Sequence, residues 1–94
     1  MVTKKLVVVA YDISNNKRRK KVADLLEKHG NRVNYSVFEC FVSGRELQAL
    51  KEDADGLIKK KYDSILFYEL CATCIEKIDR HGNMSKLFLP THMV

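Results

Sequence analysis

Leu6-Val7-Val8-Val9-Ala10-Tyr11-Asp12, followed by Ile13-Ser14-Asn15-Asn16 and then by Lys17-Arg18-Arg19-Lys20-Lys21, is the stretch on which the reading of this chain turns. Its first part is continuously apolar and β-rich without alternation, the pattern of a central strand flanked on both edges. Asp12 to Asn16 supplies turn and helix-capping chemistry. A helix is expected from there to about His29, with Val22, Leu25 and Leu26 at i, i+3, i+4 spacing and Gly30 at the place a helix C-cap favours.

Outward from that unit, the chain divides into short elements. Arg32–Asn34 predicts a short strand, Tyr35-Ser36 a tight reversal and Val37–Val42 a longer strand. Ser43 with Glu46 forms a capping box, and Leu47, Leu50, Ala54, Leu57 and Ile58 make one helical stripe. Ser64–Leu70 predicts another strand. Cys71–Ile78 is ambiguous between a helical turn and a strand, and residues 86–90 predict a last strand stopped by Pro90. The order β-α-β-β-α-β with an extra C-terminal strand is the ferredoxin-like α+β plan, a single domain over residues 1–94 with both helices on one sheet face. Val37, Glu39 and Phe41 alternate with Phe38, Cys40 and Val42. Both sets carry large apolar groups, so the face without helices calls for a cover, most simply a second copy of the chain.

Composition narrows the function classes. At 94 residues and 46% hydrophobic content the chain reads as one globular domain. No apolar run reaches membrane-span length, no signal peptide is evident, and no membrane partner is expected. Three cysteines are too few for a disulfide framework, which makes the reducing cytoplasm the expected compartment. The net charge of +5 points weakly to a polyanionic partner. Its distribution says more. Five consecutive cations at a helix start oppose the partial positive charge already there, and phosphate groups would resolve that conflict.

At ~100° per residue, Arg18 shares the stripe of Val22, Leu25 and Leu26 and should lean over the end of the first strand, which puts Arg18 and Arg19 near any site built around Asp12. Arg19 and Lys21 flank it, and Lys17 and Lys20 point outward for phosphate contacts. Lys59-Lys60-Lys61 reads as cations at the end of the second helix, suited to its dipole. Asp12 is a possible ligand for a hard cation, but one carboxylate per chain makes a poor site, and two meeting across a dimer axis a better one. Cys71-Ala72-Thr73-Cys74 supplies two zinc ligands where a structural site needs four, and this strand order lacks a thioredoxin-like setting. Cys40, Cys71 and Cys74 are therefore expected to be buried structural thiols.

Val9-Ala10-Tyr11-Asp12-Ile13, Lys17–Ala23 and Arg32-Val33-Asn34-Tyr35-Ser36-Val37-Phe38-Glu39-Cys40 closely resemble the small CRISPR-associated nuclease of the spacer-adaptation machinery, the Cas-two family. Asp63-Ser64-Ile65, Leu70-Cys71 and Cys74 extend the resemblance, which runs from about Leu6 to Ile78. It implies a ferredoxin-like homodimer whose two copies of Asp12 face each other around Mg²⁺ or another divalent cation such as Mn²⁺. It implies metal-dependent endonuclease activity on RNA or DNA, with Tyr11, Arg19, Arg32 and Phe38 at positions tied to that activity. It also implies a dimer that bridges the CRISPR integrase and binds DNA, here through Lys17, Arg18, Arg19, Lys20 and Lys21, with the C-terminal strand packing on the partner chain. The alternatives are a non-catalytic scaffold subunit and a stand-alone toxin-type ribonuclease of the same fold.

Overall fold

A computed structural model describes residues 3–79 and 81. Four strands and three helices follow in the order β1 (Lys4–Asp12), α1 (Asn16–Glu27), β2 (Gly30–Asn34), β3 (Val37–Ser43), α2 (Gly44–Leu57), β4 (Ser64–Leu70) and α3 (Ala72–Glu76). The sheet order is β2-β3-β1-β4, and β1 runs antiparallel to both β3 and β4. This is the expected ferredoxin-like α+β arrangement, with the apolar β1 at the centre. The strand expected over residues 86–90 lies outside the described residues.

Strand alternation decides what each face of the sheet does. Val7, Val9 and Tyr11 of β1 and Phe38, Cys40 and Val42 of β3 are buried against Val22, Ala23 and Leu26 of α1 and Leu47 and Leu50 of α2. Phe38 is the largest side chain enclosed completely. On the other face the register aligns Leu6, Val8, Ala10 and Asp12 with Leu70, Tyr68, Leu66 and Ser64 of β4. Leu66 and Tyr68 are 54% and 52% exposed there, an apolar surface larger than single scattered residues would make.

Local chemistry explains the boundaries. Asn15 caps α1 by accepting the Arg18 N–H at 2.9 Å, and the Ser43–Glu46 capping box forms in both directions, at 2.9 and 3.1 Å. The Glu46 carboxyl is accordingly held below its ordinary range, chiefly by the Ser43 backbone N–H. A two-residue turn at Tyr35-Ser36 joins β2 to β3, and a bulge between Arg32 and Asn34 shifts their register.

Three expectations need correction. Gly30 is not a helix cap: α1 ends at Glu27 with Lys28 as its cap, and Gly30 opens β2. Its lack of a side chain serves close approach, because a Cβ there would stand 1.9 Å from the Glu39 carbonyl oxygen. Lys59–Lys61 do not lie in the last turn of α2. The extended backbone of Ile58 ends that helix, and Tyr62 and Asp63 donate their N–H groups back to the Lys59 carbonyl, so the three lysines ride on a tight connection to β4. Finally, only Cys40 is buried; Cys71 and Cys74 are exposed on the α3 turn, which resolves the ambiguous Cys71–Ile78 stretch as helical at its start. Burial raises the Cys40 thiol to about 11, as befits a structural thiol.

Candidate functional site

The residues at the end of β1 occupy two different surfaces. Tyr11 points to the helix side and Asp12 to the open side, because they are consecutive in a strand. Tyr11 is 5% exposed and its ring stacks with Phe38 at 6.2 Å between centroids. Asp12 is exposed, opposite Ser64.

Around Tyr11 a cleft of about 380 Å³ opens between α1 and the β2–β3 hairpin. Asn16, Arg19, Lys20, Asp24, Glu27, Arg32 and Tyr35 line it with Tyr11. Two guanidiniums give it its chemistry. Arg19 is held by donating from Nη1 to the Ile13 carbonyl at 2.9 Å and from Nη2 to the Asn16 side-chain oxygen. Arg32 lies directly across from Phe38 in the β2–β3 ladder, and its guanidinium stands 5.2 Å from the centre of that ring, within cation–π range. Its Nη2 also reaches Glu27 at 3.8 Å. The Tyr11 hydroxyl donates to the Tyr35 carbonyl at 3.4 Å. Burial raises its pKa above the ordinary tyrosine value, partly offset by Arg32 and Arg19, so it stays a neutral hydroxyl at physiological pH.

The structure thus gathers Tyr11, Arg19 and Arg32 at one cleft, supported from below by Phe38. Phe38 itself is fully enclosed, so it positions Arg32 and Tyr11 rather than facing a ligand. Asp12 does not line this cleft. Among the described residues no group of three or more His, Cys, Asp or Glu side chains gathers to hold a metal ion. Within one chain Asp12 offers a single exposed carboxylate at a strand end, too few protein ligands to hold a hard cation by itself.

The five cations behave unequally. Arg18 leans over the sheet end as its helical position predicts, but its target is Asp63, not Asp12. Arg18 Nε donates to Asp63 Oδ2 at 2.6 Å and Nη2 to Oδ1 at 3.1 Å, and the Lys59 N–H adds 2.9 Å to Oδ2. This two-pronged pair holds the Asp63 carboxyl below its ordinary range, the Arg18 hydrogen bond contributing most. Lys17, Lys20 and Lys21 are exposed, and Lys20 reaches Asp24 one turn on at 3.3 Å. Sequence reading assigns Asp63 no role. A solitary acid soon after Lys59-Lys60-Lys61 is the signal, and its partner lies 45 residues earlier. The fork ties the lysine-bearing connection to the start of α1, two segments that are remote in sequence.

Comparison with known proteins places this geometry. The family model described as CRISPR associated protein Cas2 matches residues 5–78. The chain is 43% identical over 77 residues to "CRISPR-associated endoribonuclease Cas2 3" of Synechocystis sp., covering 82% of this chain and 84% of that protein. The crystal structure of Streptococcus pyogenes Cas2 at pH 6.5 superposes with a TM-score of 0.73 at 35% identity, covering 82% of this chain and 99% of that one. A chain of a partial Cas6-RT-Cas1–Cas2 complex gives a TM-score of 0.67 at 29% identity, covering 88% and 93%. The central strand ending in Tyr11-Asp12, the basic start of α1 and the hairpin that carries Arg32 and Phe38 all lie within the matched span, and the chain belongs to the CRISPR-associated Cas2 family.

Proposed function

We propose that this chain is a nucleic-acid-engaging subunit of CRISPR spacer adaptation that acts as a homodimer and cleaves phosphodiester bonds with the help of a divalent cation. The observation that carries the reading is the convergence of Arg19 and Arg32 on the Tyr11 cleft, beside a helix start with exposed Lys17, Lys20 and Lys21. Both guanidiniums are held by neighbours, so they meet a phosphate with little further ordering.

The open sheet face supports dimerisation. Leu66 and Tyr68 stand on the side that carries Asp12, so a second copy covering that apolar surface brings a second Asp12 into the same assembly. The two carboxylates would then hold Mg²⁺ or Mn²⁺, which when bound supplies a Lewis acid for the phosphodiester and an activated water. Arg19 and Arg32 bind and neutralise backbone phosphate in the helix-side cleft, apart from the open face that carries Asp12, and the Tyr11 hydroxyl, donating to the Tyr35 carbonyl, braces the cleft wall. Relatives bear the name endoribonuclease, which supports nuclease activity at the family level.

A second reading rests on the exposed cations alone. Lys17, Lys20 and Lys21, joined by Lys59–Lys61 through the Arg18–Asp63 fork, form a sequence-indifferent phosphate-binding surface that does not involve Asp12. The dimer then serves as a bridge for the CRISPR integrase, a role supported by the Cas1–Cas2 assembly among the solved neighbours. Asp12→Ala separates the two. Loss of Mg²⁺-dependent cleavage of single-stranded RNA and duplex DNA, with duplex binding retained, is expected if both roles operate. Cleavage persisting at the wild-type rate would refute the assignment of Asp12, and loss of duplex binding would refute the independence of the basic surface.

A further inference from the structure

Cys71 and Cys74 play no part in the site above. Leu70 pairs with Leu6 near the start of β1, whereas Asp12 pairs with Ser64 near its end, so the two thiols follow β4 at the end of the sheet away from Asp12. Both are exposed, and their Sγ atoms stand 3.2 Å apart. The local backbone explains the proximity. Cys71 precedes α3 with extended dihedrals (φ −76°, ψ 168°) and Cys74 follows three residues on, the same relation that brings Ser43 and Glu46 together at α2. The Cys71 sulfur also accepts the Cys74 N–H at 3.4 Å.

Two accessible thiols already in contact need only about 1.1 Å of side-chain movement to reach the roughly 2.05 Å of a disulfide bond. A structural zinc site would need four ligands, and no group of three or more His, Cys, Asp or Glu gathers among the described residues. Cys40 is fully enclosed.

We propose that Cys71 and Cys74 form a redox-active dithiol that exchanges with low-molecular-weight disulfides of the glutathione class and closes reversibly to an intramolecular disulfide. The Cys71 thiolate attacks one sulfur of the small disulfide, forming a mixed disulfide and expelling one small thiolate. Cys74, deprotonated, then attacks the Cys71 sulfur and expels the second. The protein loses two electrons and two protons, and the small disulfide gains them as two thiols. Cys71 is the nucleophile because the hydrogen bond from Cys74 holds its thiol below the ordinary cysteine range, while the same bond raises Cys74.

The test equilibrates the whole chain with glutathione disulfide over a concentration series, followed by acid quench, alkylation and intact-mass measurement. Wild type and C40S are expected to lose two alkylatable thiols together, so that the alkylated mass falls by two alkyl groups relative to the reduced protein. C71S and C74S are expected to carry only a glutathione adduct, and to need about tenfold more glutathione disulfide, since each lacks the neighbouring thiol's high effective concentration. A stable glutathione adduct on wild type with no internal bond, disulfides only between chains, or identical concentration dependence in wild type and the C71S and C74S variants would each overturn the proposal.

Discussion

Gly30→Ala tests how tightly the β2–β3 ladder is built and how the cleft depends on it. The added methyl carbon would lie 1.9 Å from the Glu39 carbonyl oxygen and 2.6 Å from the Cys40 Cα, both backbone atoms that no side-chain rotation can move. An ordinary carbon–oxygen separation of about 3.4 Å requires the strands to part by roughly 1.5 Å at the Gly30–Cys40 pair. That stretches a ladder bond of about 2.9 Å to about 4.4 Å, beyond hydrogen bonding. One or two backbone bonds break, with their groups imperfectly resolvated, for a cost of about 2–4 kcal/mol. For a domain of this size that corresponds to a fall in Tm of roughly 10–25 °C. Thermal unfolding followed by circular dichroism at fixed protein concentration measures it, with Asn31→Ala on the same strand as a control. Because Arg32 stands two residues along β2, the variant should also weaken binding of a short oligonucleotide. A Gly30→Ala protein melting within about 3 °C of wild type would refute the steric reasoning.

The Arg18–Asp63 pair gives a pH signature. The folded-state pKa of Asp63 is depressed, so its stabilisation is complete above the ordinary carboxylate value of about 3.9 and disappears as pH falls through the lower folded value. Asp63→Asn should therefore lower the urea midpoint at neutral pH and flatten the acid-side decline below about pH 4; an acid limb identical to wild type would contradict the assignment. Lys17→Glu with Lys20→Glu should weaken duplex DNA binding and reduce the slope of log affinity against log salt by about two, close to one for each phosphate no longer neutralised. An unchanged slope would remove those lysines from the interface. Leu66→Glu with Tyr68→Glu should convert a dimer to monomer by sedimentation without altering the circular dichroism spectrum; a dimer that persists would place the interface elsewhere.

Features set by local chemistry are legible in the sequence. Continuous apolarity marks β1 as central, Tyr35-Ser36 marks the hairpin, and Ser43 with Glu46 marks the start of α2. Features set by distant partners are not. Helical spacing correctly aims Arg18 over the sheet end, yet nothing local identifies Asp63 as its partner. Gly30 resembles a cap because its neighbours in sequence are helical, whereas its constraint comes from Glu39 across the sheet. The general habit of free cysteines favours burial of Cys71 and Cys74; a surface turn after β4 overrides that habit. The resemblance gathers Tyr11, Asp12, Arg19, Arg32 and Phe38 as one set, and the structure divides them between a helix-side cleft and the open face.

That division has a consequence for folding fidelity. Tyr11 and Asp12 are neighbours with opposite solvent requirements, one packed on Phe38 and the other exposed. The run from Leu6 to Ala10 is apolar on both sides and would tolerate displacement by one residue. Such a slip would drive the Asp12 carboxylate into the aromatic core and push the Tyr11 ring into water, a penalty of several kcal/mol. The last two residues of the strand thus act as its register mark, and this pair prevents the sheet from assembling one step out of phase.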